Sequence, residues 1–164
     1  MPHTAASRTR VRVRTATPAD AERIAELRLS LLAHHKTNPI YSRIRRDARP
    51  RAIELTEEQL TSTNQVMLVA VRGERIVGVL RCIEQRGHRL LRPARFAHIG
   101  TVYVVPSARR QGVLRTLLDA AIAWCRERGI KEMRLQNAID NPLAMAAWES
   151  LGFRVVEQIR LRRL

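Results

Sequence analysis

Val102-Tyr103-Val104-Val105-Pro106-Ser107-Ala108-Arg109-Arg110-Gln111-Gly112-Val113-Leu114 runs from an apolar strand, through a basic turn, into the start of a helix. Pro106 ends the strand because it has no N–H for a ladder, and Gly112 lets backbone amides approach a ligand that a Cβ would hold away. The apolar residues that follow, Leu114, Leu117, Leu118, Ala121, Ile122 and Cys125, fall on one helix face, and Gly129 closes that helix. The free amides of the first turn, the positive end of the helix dipole and the charges of Arg109 and Arg110 together predict a site for an anion such as a pyrophosphate.

Outward from this segment, Val11 and Val13 alternate with Arg10, Arg12 and Arg14, the period of a half-buried first strand. Thr17-Pro18 starts a helix that carries Ile24, Leu27 and Leu31 at helical spacing and runs to about His34. Lys36 to Pro50 reads as a loop or broken helix, and Thr56-Glu57-Glu58-Gln59 as the capped start of a helix within Leu55 to Thr63. Val66–Val71 and Ile76–Ile83 flank Arg72-Gly73-Glu74-Arg75 as a hairpin, Arg86–Arg95 is a basic connector, and Phe96–Val105 is the strand that enters the loop. A short strand at Met133–Gln136, a helix from Asn141 to Leu151 and a final strand from Phe153 to Leu161 complete the order. The pattern predicts one α/β domain with a mixed, mostly antiparallel central sheet and helices on both faces. It spans residues 10–164, after a disordered leader at 1–9 that has no apolar core of a secretion signal.

A second segment, Asn141-Pro142-Leu143-Ala144-Met145-Ala146-Ala147-Trp148-Glu149-Ser150-Leu151-Gly152-Phe153, joins the first in defining a resemblance. The loop resembles the Arg/Gln-x-x-Gly-x-Gly/Ala acetyl-CoA pyrophosphate loop of the GNAT superfamily of acyl-CoA N-acyltransferases, with Arg109 and Gly112 matching and Leu114 where Gly or Ala is usual. The second segment is similar to that family's Asn-x-x-Ala-x-x-φ-Tyr-x-x-x-Gly-Phe, where φ is apolar. Asn141, Ala144, Gly152 and Phe153 match, and Trp148 stands where Tyr is usual.

The resemblance implies an acetyl-CoA-dependent N-acetyltransferase acting by direct attack of a primary amine in a ternary complex. The cofactor would be held by the backbone of Tyr103, Val104 and Val105, the segment Arg109, Arg110, Gln111, Gly112, Val113, Leu114 and Arg115, and by Asn141 and Trp148. Asn141 also reads, from its own chemistry, as the N-cap of the last helix. Many family members place an acidic base near the middle of the strand before the loop. Ile99-Gly100-Thr101-Val102 has no carboxylate, so Glu84 and His98 are the candidate bases. A thiol of pKa near 8.5 leaves as thiolate at pH 7 for only about 2 kcal/mol, so an acid in place of Trp148 is dispensable.

A formal charge of +15 comes from 30 basic against 15 acidic residues, all but Lys36 and Lys131 of the basic ones arginine. It is spread along the chain, +7 over 1–50, +3 over 51–100 and +5 over 101–164, so no single basic tail carries it. Such a field attracts polyanions and repels cations, and predicts a neutral or anionic acceptor amine, on a small molecule or an acidic protein. The 4% aromatic content disfavours nucleic-acid stacking. Cys82, Cys125 and the five histidines show no metal spacing, so no metal is expected. No apolar run reaches the roughly 18 residues of a membrane span, and a cytoplasmic location follows as an expectation. The alternatives are a CoA-binding module without catalysis and a basic nucleic-acid-binding domain; a homodimer is left open.

Overall fold

The computed structural model describes residues 10–164, so the leader at 1–9 lies outside the described residues. Five strands, β1 (Arg12–Thr15), β2 (Gln65–Arg72), β3 (Arg75–Arg86), β4 (Arg95–Val104) and β5 (Met133–Leu135), form one sheet in chain order. All neighbours are antiparallel except β4 and β5, which run parallel. Helices α1 (Ala21–His34) and α2 (Ala48–Thr61) cover one face, and α3 (Val113–Glu127) and α4 (Pro142–Ser150) belong to the other.

Each face has its own core, because successive side chains of a strand point to opposite sides. Met67, Val69, Val71, Val79 and Tyr103 meet Ile24 and Leu27 of α1. Leu68, Ala70, Leu80, Cys82, Ala97 and Ile99 meet Val113, Leu117, Leu118, Ala121 and Cys125 of α3. The two cysteines are buried thiols with their sulfurs 3.9 Å apart, which accords with their reading as core.

One irregularity shapes the molecule. Between β3 and β4 the register shifts: Arg81 pairs with Thr101 and Cys82 with Ile99, leaving Gly100 as an extra residue on β4. Such a bulge bends the strand that bears it. β5 follows β4 only from Ala97 to Ile99, so beyond the bulge β4 has no strand neighbour on that side among the described residues. A Cβ on Gly100 would come within 3.0 Å of the Ile83 Cδ1, which explains the glycine.

Three expectations are corrected. The second helix begins at Ala48, seven residues before Leu55: Pro50 lies in its first turn, where its missing N–H has no helical partner to lose. Thr56 is therefore an interior helical residue and no cap. Its hydroxyl donates to the Ala52 carbonyl at 2.6 Å. Finally, Phe153–Leu161 forms no strand, although its alternation suits one. Phe153 packs on Trp148, while Val155, Val156, Ile159 and Leu161 are exposed. Alternation sets which face a strand buries, but a strand also needs a ladder, and the three-residue β5 offers little edge to follow.

Candidate active site

The β4-to-α3 connection is a short 3-10 turn, Pro106–Ala108, followed by Arg109 to Gly112. Gly112 occupies the N-cap of α3 with φ +79°, and a Cβ there would meet nothing within 4 Å. The glycine thus serves the left-handed backbone, and it leaves open space in front of the helix. A glycine cap has no side-chain acceptor, so the first-turn amides of this 15-residue helix stay available. The N-terminus of α4 differs, because Asn141 Oδ1 accepts from the Ala144 amide at 3.1 Å. Arg110 also takes positive φ, 60°, a conformation that costs a non-glycine residue about 1 kcal/mol and is typical of functional loops.

Gln111 is anchored: it donates to the Ser107 carbonyl and accepts from Arg72. Arg110 and Arg115 are exposed, while Val113 and Leu114 pack into the α3 core. Trp148 is buried to 8% exposure against Phe153, at 5.3 Å between rings, which makes it a core residue first.

The free side of β4 identifies the backbone groups a ligand can use. The Val105 amide donates to the Val77 carbonyl at 2.9 Å, toward β3, so it is committed to the sheet. Strand alternation then turns the Tyr103 amide the same way and those of Val102 and Val104 outward, into the gap that β5 leaves. The Val104 carbonyl faces that gap too, where Arg109 Nε donates to it at 2.9 Å. Of the expected trio only Val104 is aimed outward; Val102 joins it, a position that period-two alternation could have supplied.

On the α1 side of the gap lies a cleft of about 340 Å³ lined by Ser30, Ala33, His34, Lys36 and Tyr103. His34 was absent from the expected site. Its ring meets Tyr103 edge-on at 5.5 Å, and its Nδ1 lies 2.7 Å from the Ser30 carbonyl. A carbonyl only accepts, so Nδ1 carries the proton and Nε2 the lone pair. Arg109 Nη2 approaches that Nε2 at 3.4 Å.

The two candidate bases part company. Glu84 sits on the α3 side, bonded to Arg95 at 2.9 Å and Arg128 at 3.1 Å. These hydrogen bonds hold its carboxyl below the usual carboxylate range, in an ion pair on the opposite face of the sheet from this cleft. It lines a separate, larger cavity with Thr63, Asn64 and Arg86, at the far end of β3 from the phosphate loop. His98 is half-buried, and pairs with Ile83 on the α2 side of the sheet. Burial, reinforced by the Arg81 charge, lowers its pKa from 6.5, which keeps the ring neutral at pH 7.

Arg81 lies beside His98, and Arg28 lies near Arg81, both without a carboxylate partner. Arg28 of α1, 9% exposed, donates to the Thr56 hydroxyl at 3.0 Å and to the Gln59 side chain, while its Nε has no partner. Burial pushes its pKa down to about 10, and Arg81 pushes the same way. Arg81 donates through Nε to Gln65 at 2.6 Å, and its Nη1 lies 3.5 Å from where a Gly100 Cβ would stand. Sequence could have flagged both: Arg28 falls on the Ile24-Leu27-Leu31 stripe, and Arg81 interrupts an apolar strand.

A five-stranded sheet whose fourth strand leaves the fifth beside an uncapped, glycine-led helix defines a class of acyl-CoA-binding α/β transferase. Residues 32–153 match the Acetyltransferase (GNAT) family, and the chain belongs to it. It is an acetyl-CoA-dependent N-acetyltransferase. Aminoglycoside N(6')-acetyltransferase type 1 of Stenotrophomonas maltophilia is 29% identical over 150 residues, covering 90% of this chain and 88% of that protein. The protein of the same name from Klebsiella aerogenes is 44% identical over 61 residues, 37% of this chain and 40% of that one. Among solved structures, aminoglycoside N-acetyltransferase AAC(6')-Iy in complex with CoA shares the fold, with a TM-score of 0.78 at 19% identity over 94% of this chain and 95% of that one. Among the described residues no cluster of His, Cys, Asp or Glu could hold a metal, and no helix is long and apolar enough to cross a membrane.

Proposed function

We propose that this enzyme transfers the acetyl group of acetyl-CoA to a primary amine by direct attack, with the gap between β4 and β5 as the meeting point. The single observation that carries the reading is the free edge of β4 beyond Gly100, which opens beside the α3 N-terminus on one side and the His34–Tyr103 cleft on the other. Acetyl-CoA supplies the thioester. The first-turn amides of α3, with Arg109 and Arg110, hold its pyrophosphate. The Val102 and Val104 amides orient the pantetheine arm and polarise the acyl oxygen; such preorganised donors are worth about 3 kcal/mol each in acyl transfer.

His98 takes the amine proton through intervening water, because it is neutral at pH 7 and lies on the acceptor side of the bulge. Asn141 fixes the entry of α4. Cys82 and Cys125 are buried in the α3 core and carry no acyl group.

The relatives' names suggest an aminoglycoside acceptor. The charge of this chain and the cleft residues argue otherwise. A polycation would meet Lys36 in the cleft and Arg109 against its His34 and Tyr103, with no carboxylate among the lining residues. The test is a thiol-release assay of acetyl-CoA against a panel of primary amines, beside calorimetry of CoA binding. Turnover of at least one amine together with CoA binding is the expected result; no CoA binding and no thiol release overturns the reading.

A further inference from the structure

We infer that Arg81, His98 and Arg28 form an anion subsite on the acceptor side of the bulge, and that the acceptor is a small amine carrying a carboxylate on the same molecule. The inference rests on the acetyl-transfer reading above and names the substrate class of that site.

Arg28 and Arg81 have no carboxylate partner, and neither has Arg72, whose buried Nε is also unpartnered and whose Nη2 donates to Gln111 at the far end of the sheet; eight other arginines among the described residues are ion-paired. Arg28 has a structural duty, since it ties α1 to Thr56 and Gln59 of α2. That duty leaves its Nε orphaned at nine-tenths burial. The Arg28 charge is hydrogen-bonded but buried without a counter-ion, which a bound anion supplies. Polar side chains join the two arginines: Gln59 accepts from Arg28, its carbonyl accepts from Gln65 Nε2, and Gln65 Oε1 accepts from Arg81 Nε. This chain spends Arg81 Nε on Gln65 and leaves Nη1 beside Gly100.

Gly100 is exposed, and its Cβ position lies 3.5 Å from Arg81 Nη1 and 3.8 Å from His98 Cδ2, with Ile83 Cδ1 at 3.0 Å closing the inner side, so a ligand reaches Arg81 Nη1 and the His98 ring from the solvent side of this backbone. The planar fork of Arg81 matches a carboxylate. Thr101 and Tyr103 lie two residues apart on β4, so the subsite and the Tyr103 cleft are separated by about 7 Å. One small molecule can therefore place its acid on Arg81 and its amine at the gap.

The experiment compares β-alanine, 4-aminobutyrate and 6-aminohexanoate with alkylamines and diamines of matching length, in the wild-type enzyme with acetyl-CoA at low salt. The best amino acid is expected to exceed its uncharged analogue in kcat/KM by at least tenfold and the diamine by more. Arg81→Gln should narrow that ratio to near one. Aminoalkyl phosphonates form a separate arm: a phosphonate that outruns every carboxylate moves the ligand class to phosphates and overturns the carboxylate assignment. Equal rates for acid and alkylamine, or a preferred diamine, overturn the subsite while leaving acetyl transfer intact. A readout without turnover is the His98 ring resonance titrated with hexanoate. A saturable shift in wild type, lost in Arg81→Gln, supports the subsite, and no shift in wild type overturns it whatever the activity. Absence of CoA binding strikes the acetyl-transfer reading alone.

Discussion

The guanidinium carbon of Arg109 lies 5.4 Å from the centre of the Tyr103 ring. From there Arg109 Nε reaches the Val104 carbonyl, and Nη2 reaches His34. One side chain therefore touches the phosphate loop, the free edge of β4 and the wall of the acceptor cleft. A guanidinium cannot keep all these contacts and also clamp a pyrophosphate, so on the proposed cofactor site, binding and cleft opening are linked through Arg109.

The first prediction follows from that link. Charged hydrogen bonds are worth about 1.5–3 kcal/mol, so Arg109→Ala should weaken acetyl-CoA by roughly 10- to 100-fold. Calorimetry measures this directly. Addition of CoA to the wild type should also shift the His34 ring resonance; an affinity loss under about twofold with no His34 shift would remove Arg109 from the cofactor site.

Gly112 allows the backbone and the charge to be separated. At φ +79° a β-carbon costs about 1–2 kcal/mol but meets no atom, so Gly112→Asn and Gly112→Asp should lose similar stability in urea unfolding. Their CoA affinities should differ, with Asp at least about tenfold weaker at low salt and the gap closing as salt rises. Indistinguishable affinities would show that no phosphate sits before α3.

Much of this was legible in the sequence, because strand, loop and helix each announce themselves locally through Pro106, Gly112 and the Leu117–Cys125 stripe. What was hidden depends on pairing across the chain. The bulge at Gly100 exists only relative to Arg81 and Cys82, and the open space that the outward Val102 and Val104 amides meet follows from where β5 stops. Glu84 looked like a strand-end carboxylate until Arg95 and Arg128, 11 and 44 residues away, closed on it. The α2 start was obscured by Pro50, a residue that signals a loop in general and a first helical turn here.

Asp20 gives a stability test of the scaffold that presents Arg28 and His34. Its carboxylate accepts two bonds from Arg14 of β1, at 2.7 and 2.9 Å, and one from the Thr17 amide. The Arg14 hydrogen bonds lower its pKa from 3.8 to about 2. A depressed folded pKa means the stabilisation is present above about pH 4 and is lost as pH falls through about 2. Arg14 is partly exposed, which discounts the effect to about 1–2 kcal/mol at pH 7. Asp20→Asn should lose that much in urea unfolding at pH 7 and much less at pH 2. A constant difference across this range would mean the ion pair contributes little and that packing dominates.

His98 offers the sharpest kinetic test. Burial and Arg81 set its pKa below 6.5, so the unfolded chain takes up a proton first as pH falls, and the ring penalises the folded state only below that value. With His98 as the proposed base, the neutral ring is the active form in the free enzyme, so kcat/KM should hold through neutrality and fall at acid pH, beyond the slope that amine protonation imposes on every variant. His98→Ala should lower kcat/KM at pH 7 by about 10²-fold, leave CoA affinity within about twofold, and abolish the acidic limb. A carboxylate seated on Arg81 neutralises the charge that opposes protonation, so the limb in kcat should lie at higher pH than the limb in kcat/KM for an amino-acid acceptor but not for an alkylamine. His34→Ala is the control, since its Nε2 also carries a lone pair on the cleft. If the acidic limb survives in His98→Ala and disappears in His34→Ala, the proton passes to His34 and the base assignment moves across the cleft.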